Sequence, residues 1–442
     1  MAGRADVLLI SCLGEQTGGG LFAYDGGVIE QLDTLSSTGL AVAEQQFGRL
    51  LWSSGEAGSA GELLVYDEVG VMRYVRIDDL REPHDLAWDG SSFVAVSTMS
   101  NSVVWLNPAG EVRKTWHAEG DGDAWHMNSL LVDDGKVLAA AFGRFGRHRE
   151  WSNFRGSGSG IVFDLATGED VLTGLECPHD PRRLDDLWLV CNSGLRELLV
   201  IDRESRAVVR RLELEGWTRG LEVTDDHIFV GESANRADPL AGGLASVAVI
   251  DRQTWSVVDR VGLPCQEVYG VISVPSTLAN GVRRGFRTNP LRTAEQDQHA
   301  LFQEVGIRPL RLWAVGESLP ASACRVRIEA VIPSEVEARS LHEWECQLLN
   351  QGNAILVSAP PHPVHISYRW IGREEPKLTL EGTRTILPEA IPPGEEWRCL
   401  FSVRAPETAG EYELVLTLVQ EGVAWFDELH PDNALRANVR IS

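Results

Sequence analysis

His84-Asp-Leu-Ala-Trp88, Phe93-Val-Ala-Val-Ser97 and Ser102-Val-Val-Trp-Leu-Asn107 follow one another across two short turns, and their recurrence decides the fold. Each run has the length and apolar character of a strand rather than a helix. The opening phrase returns as Thr38-Gly-Leu-Ala-Val42, His126-Met-Asn-Ser-Leu-Leu-Val132, His179-Asp-Pro-Arg-Arg-Leu184, Arg219-Gly-Leu-Glu-Val223 and Glu267-Val-Tyr-Gly-Val-Ile272. Successive openings lie between 40 and 53 residues apart, the period of a four-stranded propeller blade.

Second strands such as Leu187-Trp-Leu-Val-Cys191 and third strands such as Ser246-Val-Ala-Val-Ile-Asp251 follow the openings in order. The sixth opening has no second, third or fourth strand behind it. Val7-Leu-Leu-Ile-Ser11, Leu21-Phe-Ala-Tyr-Asp25 and Val28-Ile-Glu-Gln-Leu32 supply them, closing the ring and leaving no apolar edge. The expected fold is therefore all-β: a six-bladed β-propeller over 1–278, its last blade completed by the N-terminal strands. A connector over 279–322 follows, with a short helix opened by the capping box Thr293-Ala-Glu-Gln296 and ended near Gly306. Alternating strands between Pro-Gly turns then predict an immunoglobulin-like β-sandwich over 323–442.

Composition bounds the partners. The 442 residues carry 40 basic and 64 acidic side chains, a formal net charge of −24. Such a surface repels phosphates and anionic lipid, so no nucleic-acid partner is expected. No run approaches the length that spans a bilayer, so no membrane insertion is expected either. Seven cysteines without a CxxC pair read as buried thiols in a reducing, cytoplasmic setting. The oligomeric state stays open.

The propeller openings resemble a bacterial propeller family of unknown function. The resemblance rests on Trp125-His126-Met-Asn128, Pro178-His179-Asp-Pro-Arg182, Trp217-Thr-Arg219, Phe229-Val-Gly-Glu-Ser-Ala-Asn-Arg236 and Glu267-Val-Tyr269. Asp180 stands where that pattern favours serine, and the family brings no activity with it. His365-Ile-Ser-Tyr368-Arg-Trp370, Arg384, Tyr412 and Trp425-Phe426 resemble the glycan-binding sandwich of polysaccharide-export ATPases. That resemblance implies a carbohydrate-related setting.

Inner-strand openings face one mouth of a propeller channel, so Thr38, His84, His126, His179, Arg219 and Glu267 are expected around one ring. Three imidazoles suit a divalent transition metal (Zn, Fe, Mn, Cu or Ni), with His84, His126 and His179 as ligands. Glu267 is then a fourth ligand or a base, Arg219 an anion holder, and Tyr269 a neighbour in the catalytic set. The alternative is that these groups only satisfy the inner strands. Thr38, Asn128, Arg182, Asn192, Glu232 and Arg236 are ligand-binding candidates, with Asn101 and Arg144 beside them. The insertion 143–159, rich in Arg, aromatics and Gly, is either a lid or an ordered excursion. Cys177 and Cys265 lie near the ring but read as buried apolar side chains. Two functions remain open. One is an enzyme acting on a polar or anionic small molecule, glycan or peptide; the other is a non-catalytic glycan- or protein-binding scaffold in surface polysaccharide assembly.

Overall fold

The computed structural model describes residues 6–13, 19–33, 35–52, 60–234, 243–285, 318–358, 362–373, 379–387 and 390–442. Among them are six four-stranded sheets, five of which take their strands in unbroken chain order. Their first strands are Ser37–Ala43, Pro83–Trp88, Met127–Asp133, Pro178–Leu184 and Trp217–Val223. The sixth sheet begins with Glu267–Val274 and is completed by Val7–Leu13, Gly20–Asp25 and Val28–Asp33. Each first strand packs on the next, and the sixth packs on the first, so the ring is closed. The chain is a six-bladed β-propeller whose N-terminal strands finish the last blade, as the repeats imply.

Burial within a blade follows position. Second and third strands such as Phe93–Ser97 and Ser102–Leu106 are buried throughout, because neighbouring blades cover both faces. Fourth strands such as Val208–Glu213 are almost wholly exposed and charged, which blunts the outer edge. The apolar contacts lie between blades: Val94, Val96 and Val103 of one pack with Met127, Leu130 and Ala139 of the next. Leu8, Ile10 and Phe22 pack with Phe229, Val247 and Val268 at the closure. Fully burying such a side chain contributes about 1.5–3 kcal/mol.

The inner strands share a local irregularity. Pairing of the first strand with its neighbour shifts between Ser37 and Leu40, Pro83 and Leu86, Met127 and Ser129, His179 and Arg182, and Thr218 and Leu221. A bulge at each opening bends the strand and re-aims its side chains. The bulges also join blades. Asp85 Oδ2 accepts the Leu130 N–H at 2.8 Å, Ser129 Oγ accepts the Asp180 N–H at 2.8 Å, and Asp180 Oδ2 accepts the Gly220 N–H at 2.7 Å. The aspartate of His179-Asp-Pro-Arg is thus a blade-to-blade acceptor, a task Ser129 performs one blade earlier. Backbone closeness fixes glycine at Gly39, where a Cβ would stand 2.3 Å from Leu86 N.

The second fold is a sandwich. A three-stranded sheet of Val326–Ala330, Leu341–Asn350 and Glu396–Arg404 faces a larger one built on Val364–Gly372, Gly410–Gln420 and Leu435–Ile441. Trp370, Leu348, Phe401 and Leu414 fill the space between. Tyr412 Oη donates to the Thr408 carbonyl at 3.1 Å, the corner contact of immunoglobulin-like sandwiches. By compactness the chain divides into residues 1–65 with 77–279, and 66–76 with 280–442. A helix, Ser276–Gly285, stands where the sequence reading placed none, and the helix expected over 293–306 lies outside the described residues. No described helix is long and apolar enough to cross a membrane.

Candidate functional site

The bulged openings surround a cavity of about 320 Å³ at one mouth of the channel. His84, His126, His179, Arg219, Glu267 and Tyr269 all line it. The rings form a chain around the mouth. Trp52 meets His84 at 6.4 Å between centroids, His84 meets His126 at 5.4 Å, and His126 meets Phe142 at 4.3 Å. Phe142 meets His179 at 5.4 Å and His179 meets Trp217 at 6.3 Å. Tyr269 lies 5.6 Å from His84 and carries the Arg219 guanidinium 3.3 Å above its ring.

Each imidazole is fixed through Nδ1. In His84, Nδ1 lies 3.1 Å from the Glu82 carbonyl and 2.8 Å from Thr98 Oγ1, whose own hydrogen goes to the Met127 carbonyl. In His179, Nδ1 lies 3.1 Å from the Cys177 carbonyl and 2.8 Å from Ser193 Oγ, which donates to the Thr218 carbonyl. In His126, Nδ1 lies 3.0 Å from both carboxylate oxygens of Asp123. Carbonyls and carboxylates only accept, so Nδ1 carries the hydrogen in all three rings, and in the neutral ring Nε2 is the acceptor. The Thr98 and Ser193 hydroxyls also clamp one blade to the next inner strand, so fold and tautomer are set by the same bonds.

Electrostatics differ around the ring. Burial, then the neighbouring Arg219, His126 and His84, hold His179 well below the usual imidazole range. Burial, then Asp123, push Glu82 up, against the pull of His126 and Arg149. Arg219 is only 8% exposed, and its Nη2 is buried without a hydrogen-bond partner. Trp52 Nε1 is likewise buried and unpartnered.

The insertion 143–159 is an ordered excursion that reaches the cavity with Arg149, Trp151 and Arg155. Trp151 lies tilted against His126, 4.4 Å between centroids, and donates to Asp123 at 3.3 Å. Arg149 lies 3.5 Å from Asp123 and 3.6 Å from Glu82. His148 Nδ1 accepts the Asp123 N–H.

Other sequence candidates stand apart from the cavity. Thr38 is fully buried, with its carbonyl accepting from Ser11 Oγ, because the blade contact at Gly39 draws that opening inward; Trp52 faces the cavity instead. Asn128 bonds the His126 carbonyl and Ser129. Asn192 takes the Glu176 N–H and donates to Glu197. Glu232 is held by the Glu215 N–H, Ser246 and Arg260. Arg182 reaches the Leu130 and Pro181 carbonyls, among Asp180, Asp85 and Glu222. Asn101 spans the Glu119 carbonyl and the Trp125 N–H, and Arg144 covers Trp125. Arg236 lies outside the described residues. Cys177 and Cys265 do not line the cavity, and burial followed by Glu176 pushes the Cys177 thiol up to about 12.

The three histidines expected as metal ligands line one cavity. Among the described residues no group of three or more His, Cys, Asp or Glu is placed to hold an ion. Phe142 stands against both His126 and His179. The residues the sequence reading missed are Glu82, Asp123, Phe142, Trp52 and Trp217. Their signal was position: Glu82 and Asp123 sit two and three residues before an opening histidine, and Phe142 directly follows a second strand.

Several solved structures are similar in chain course. A nidogen/laminin complex gives a TM-score of 0.44 at 11% identity, covering 61% of this chain and 98% of that one. A protein of unknown function from Bacteroides caccae gives 0.43 at 12%, covering 61% and 99%. Dihydro-heme d1 dehydrogenase NirN in complex with DHE gives 0.33 at 14%, covering 62% and 58%. No curated protein matches the sequence. A family model, described as a domain of unknown function (DUF4915), matches residues 40–281, which contain the five openings from His84 to Glu267 and all the cavity histidines. The chain belongs to this DUF4915 family.

Proposed function

We propose that the channel mouth is an active site that removes a proton from a polar, anionic small molecule, with His126 as the base. The observation that carries this reading is the Asp123–His126 pair. A buried carboxylate holds Nδ1–H through both oxygens, while the same ring lines the cavity. Such a carboxylate orients the imidazole and stabilises the imidazolium formed when Nε2 takes a proton. The electron pair left on the substrate needs a fixed positive charge, and Arg219 and Arg149 lie in the same cavity. His179, kept neutral by its surroundings, serves as a hydrogen-bond acceptor rather than as a base.

The test is solvent exchange. Full-length protein is incubated in D2O with a library of small hydroxy acids, sugars and amino acids, and deuterium uptake is read by mass spectrometry. Uptake into one compound class that is lost in His126→Gln supports the base; no uptake, or uptake unchanged in His126→Gln, overturns it. Metal analysis is the companion measurement. Stoichiometric Zn, Fe, Mn, Cu or Ni lost in His126→Ala would replace this reading by a metal-centred one.

The scaffold reading has weaker support. The sandwich residues that resemble export-ATPase domains include Tyr368, Trp370, Tyr412 and Phe426, all at most 4% exposed. They support a shared frame more directly than a shared glycan surface. Glycan-array binding by the full chain, unaffected by changes at His126, would favour it.

A further inference from the structure

Resting on the active-site reading above, we propose that the mouth cavity takes a sugar acid: a ring or chain of several hydroxyls bearing one carboxylate. The argument is one of complementary groups. Arg219 Nη2 and Trp52 Nε1 are buried donors without partners. An unpaired buried donor is costly, and the ligand group that removes the cost is an acceptor, best an anionic one. Tyr269 beneath the guanidinium fixes its plane, so a carboxylate meets a pre-set fork.

Opposite chemistry comes from the histidines. His126 and His179 both spend Nδ1–H on the protein, so each presents an acceptor, and acceptors select hydroxyl donors. A simple dicarboxylate, fully ionised at neutral pH, has no hydrogens to give them. The walls add Trp52, Trp151 and Trp217, faces suited to the C–H side of a sugar, and the cavity volume lies at the low end of small-molecule sites. The chemistry closes as well. The hydrogen α to a carboxylate is the acidic C–H of a sugar acid, and holding that carboxylate on Arg219 favours its removal. The C–H bond breaks, its pair delocalises into the carboxylate, and the proton goes to His126 Nε2.

The experiment uses the full chain and named probes. Sodium D-glucuronate, D-galacturonate and D-gluconate are titrated by calorimetry beside D-glucose, glutarate and a galacturonate trimer. At least one sugar acid is expected to bind about ten-fold or more tightly than D-glucose and glutarate. Binding should fall by about ten-fold or more in Arg219→Met and by less in Arg219→Lys. Tryptophan fluorescence of the wild-type protein gives a second readout should the Arg219 variants fail to fold, since three cavity walls are indoles. Preference for the trimer over the monomers would mark a chain end as the natural source, and the reverse a free acid; either supports the class. Glucose or glutarate binding as well as the acids, or no acid saturating the site, overturns it. Binding without deuterium uptake leaves the ligand class standing and removes the base. Uptake into another compound class by a protein that binds no sugar acid does the opposite.

Discussion

Asp123 accepts the Nδ1–H of His126 through both carboxylate oxygens, at 3.0 Å each, with the carboxylate wholly buried. His126 itself sits at φ 50°, a left-handed conformation that non-glycine residues adopt only when their surroundings hold it. The opening bulge, the aspartate and the Trp151 ring all converge on this one ring. Replacing Asp123 by Asn keeps the shape but allows the other tautomer. Proton removal is expected to drop by roughly 10²–10⁴-fold, with ligand affinity nearly unchanged. Deuterium uptake beside calorimetry separates the two.

A different buried pair secures the closing blade. Arg49 meets Asp33 with two hydrogen bonds of 2.6 Å, and neither side chain is exposed. Arg49→Met leaves a buried carboxylate uncompensated and should cost about 3–5 kcal/mol in urea unfolding. The double change Arg49→Met with Asp33→Leu should recover much of that loss.

On the inner strands, Asp85 and Glu222 are each raised to about 7, chiefly by burial. Asp180 raises Asp85 further, Asp6 raises Glu222, and Arg182 opposes both shifts. A carboxyl whose folded value exceeds its unfolded one binds its proton more tightly in the folded chain. Its contribution is complete below about pH 4 and fades as pH rises through about 7. His179, shifted down, works in the other direction and costs stability below the ordinary imidazole value. Glu222→Gln should therefore flatten the fall in thermal midpoint between about pH 5 and 8, as read by calorimetric scans.

Closure by the N-terminal strands predicts its own failure. Without residues 1–35, Glu267–Val274 loses its partner Val7–Leu13 and presents an apolar edge. Such a chain should bind a hydrophobic dye and lose cooperative unfolding, whereas an unchanged transition would mean the ring does not depend on them.

How much of this was legible follows from burial. Inner, second and third strands are apolar because blades cover both faces, so Phe93–Ser97 and Ser102–Leu106 announce themselves. Fourth strands such as Val112–His117 and Val208–Glu213 are exposed and charged, and carry no such signal. Counting openings brought His84, His126, His179, Arg219, Glu267 and Tyr269 to one cavity, since equivalent blade positions become equivalent places on a ring. It did not reveal which neighbours consume a polar group. Asn192 and Glu232 look like ligand residues until the Glu176 and Glu215 N–H groups are seen on them. Nor did it reveal Phe142, whose ring meets two histidines that the repeat makes equivalent.

The most direct measurement is the protonation pattern of the three cavity imidazoles, read by long-range ¹H–¹⁵N correlation on uniformly labelled protein. At pH 7 the account predicts hydrogen on Nδ1 in both His126 and His179, with Nε2 of His179 unprotonated and that ring still neutral when the pH is lowered to 6. An Nδ1 without hydrogen in either ring, or His179 charged at pH 6, would contradict it.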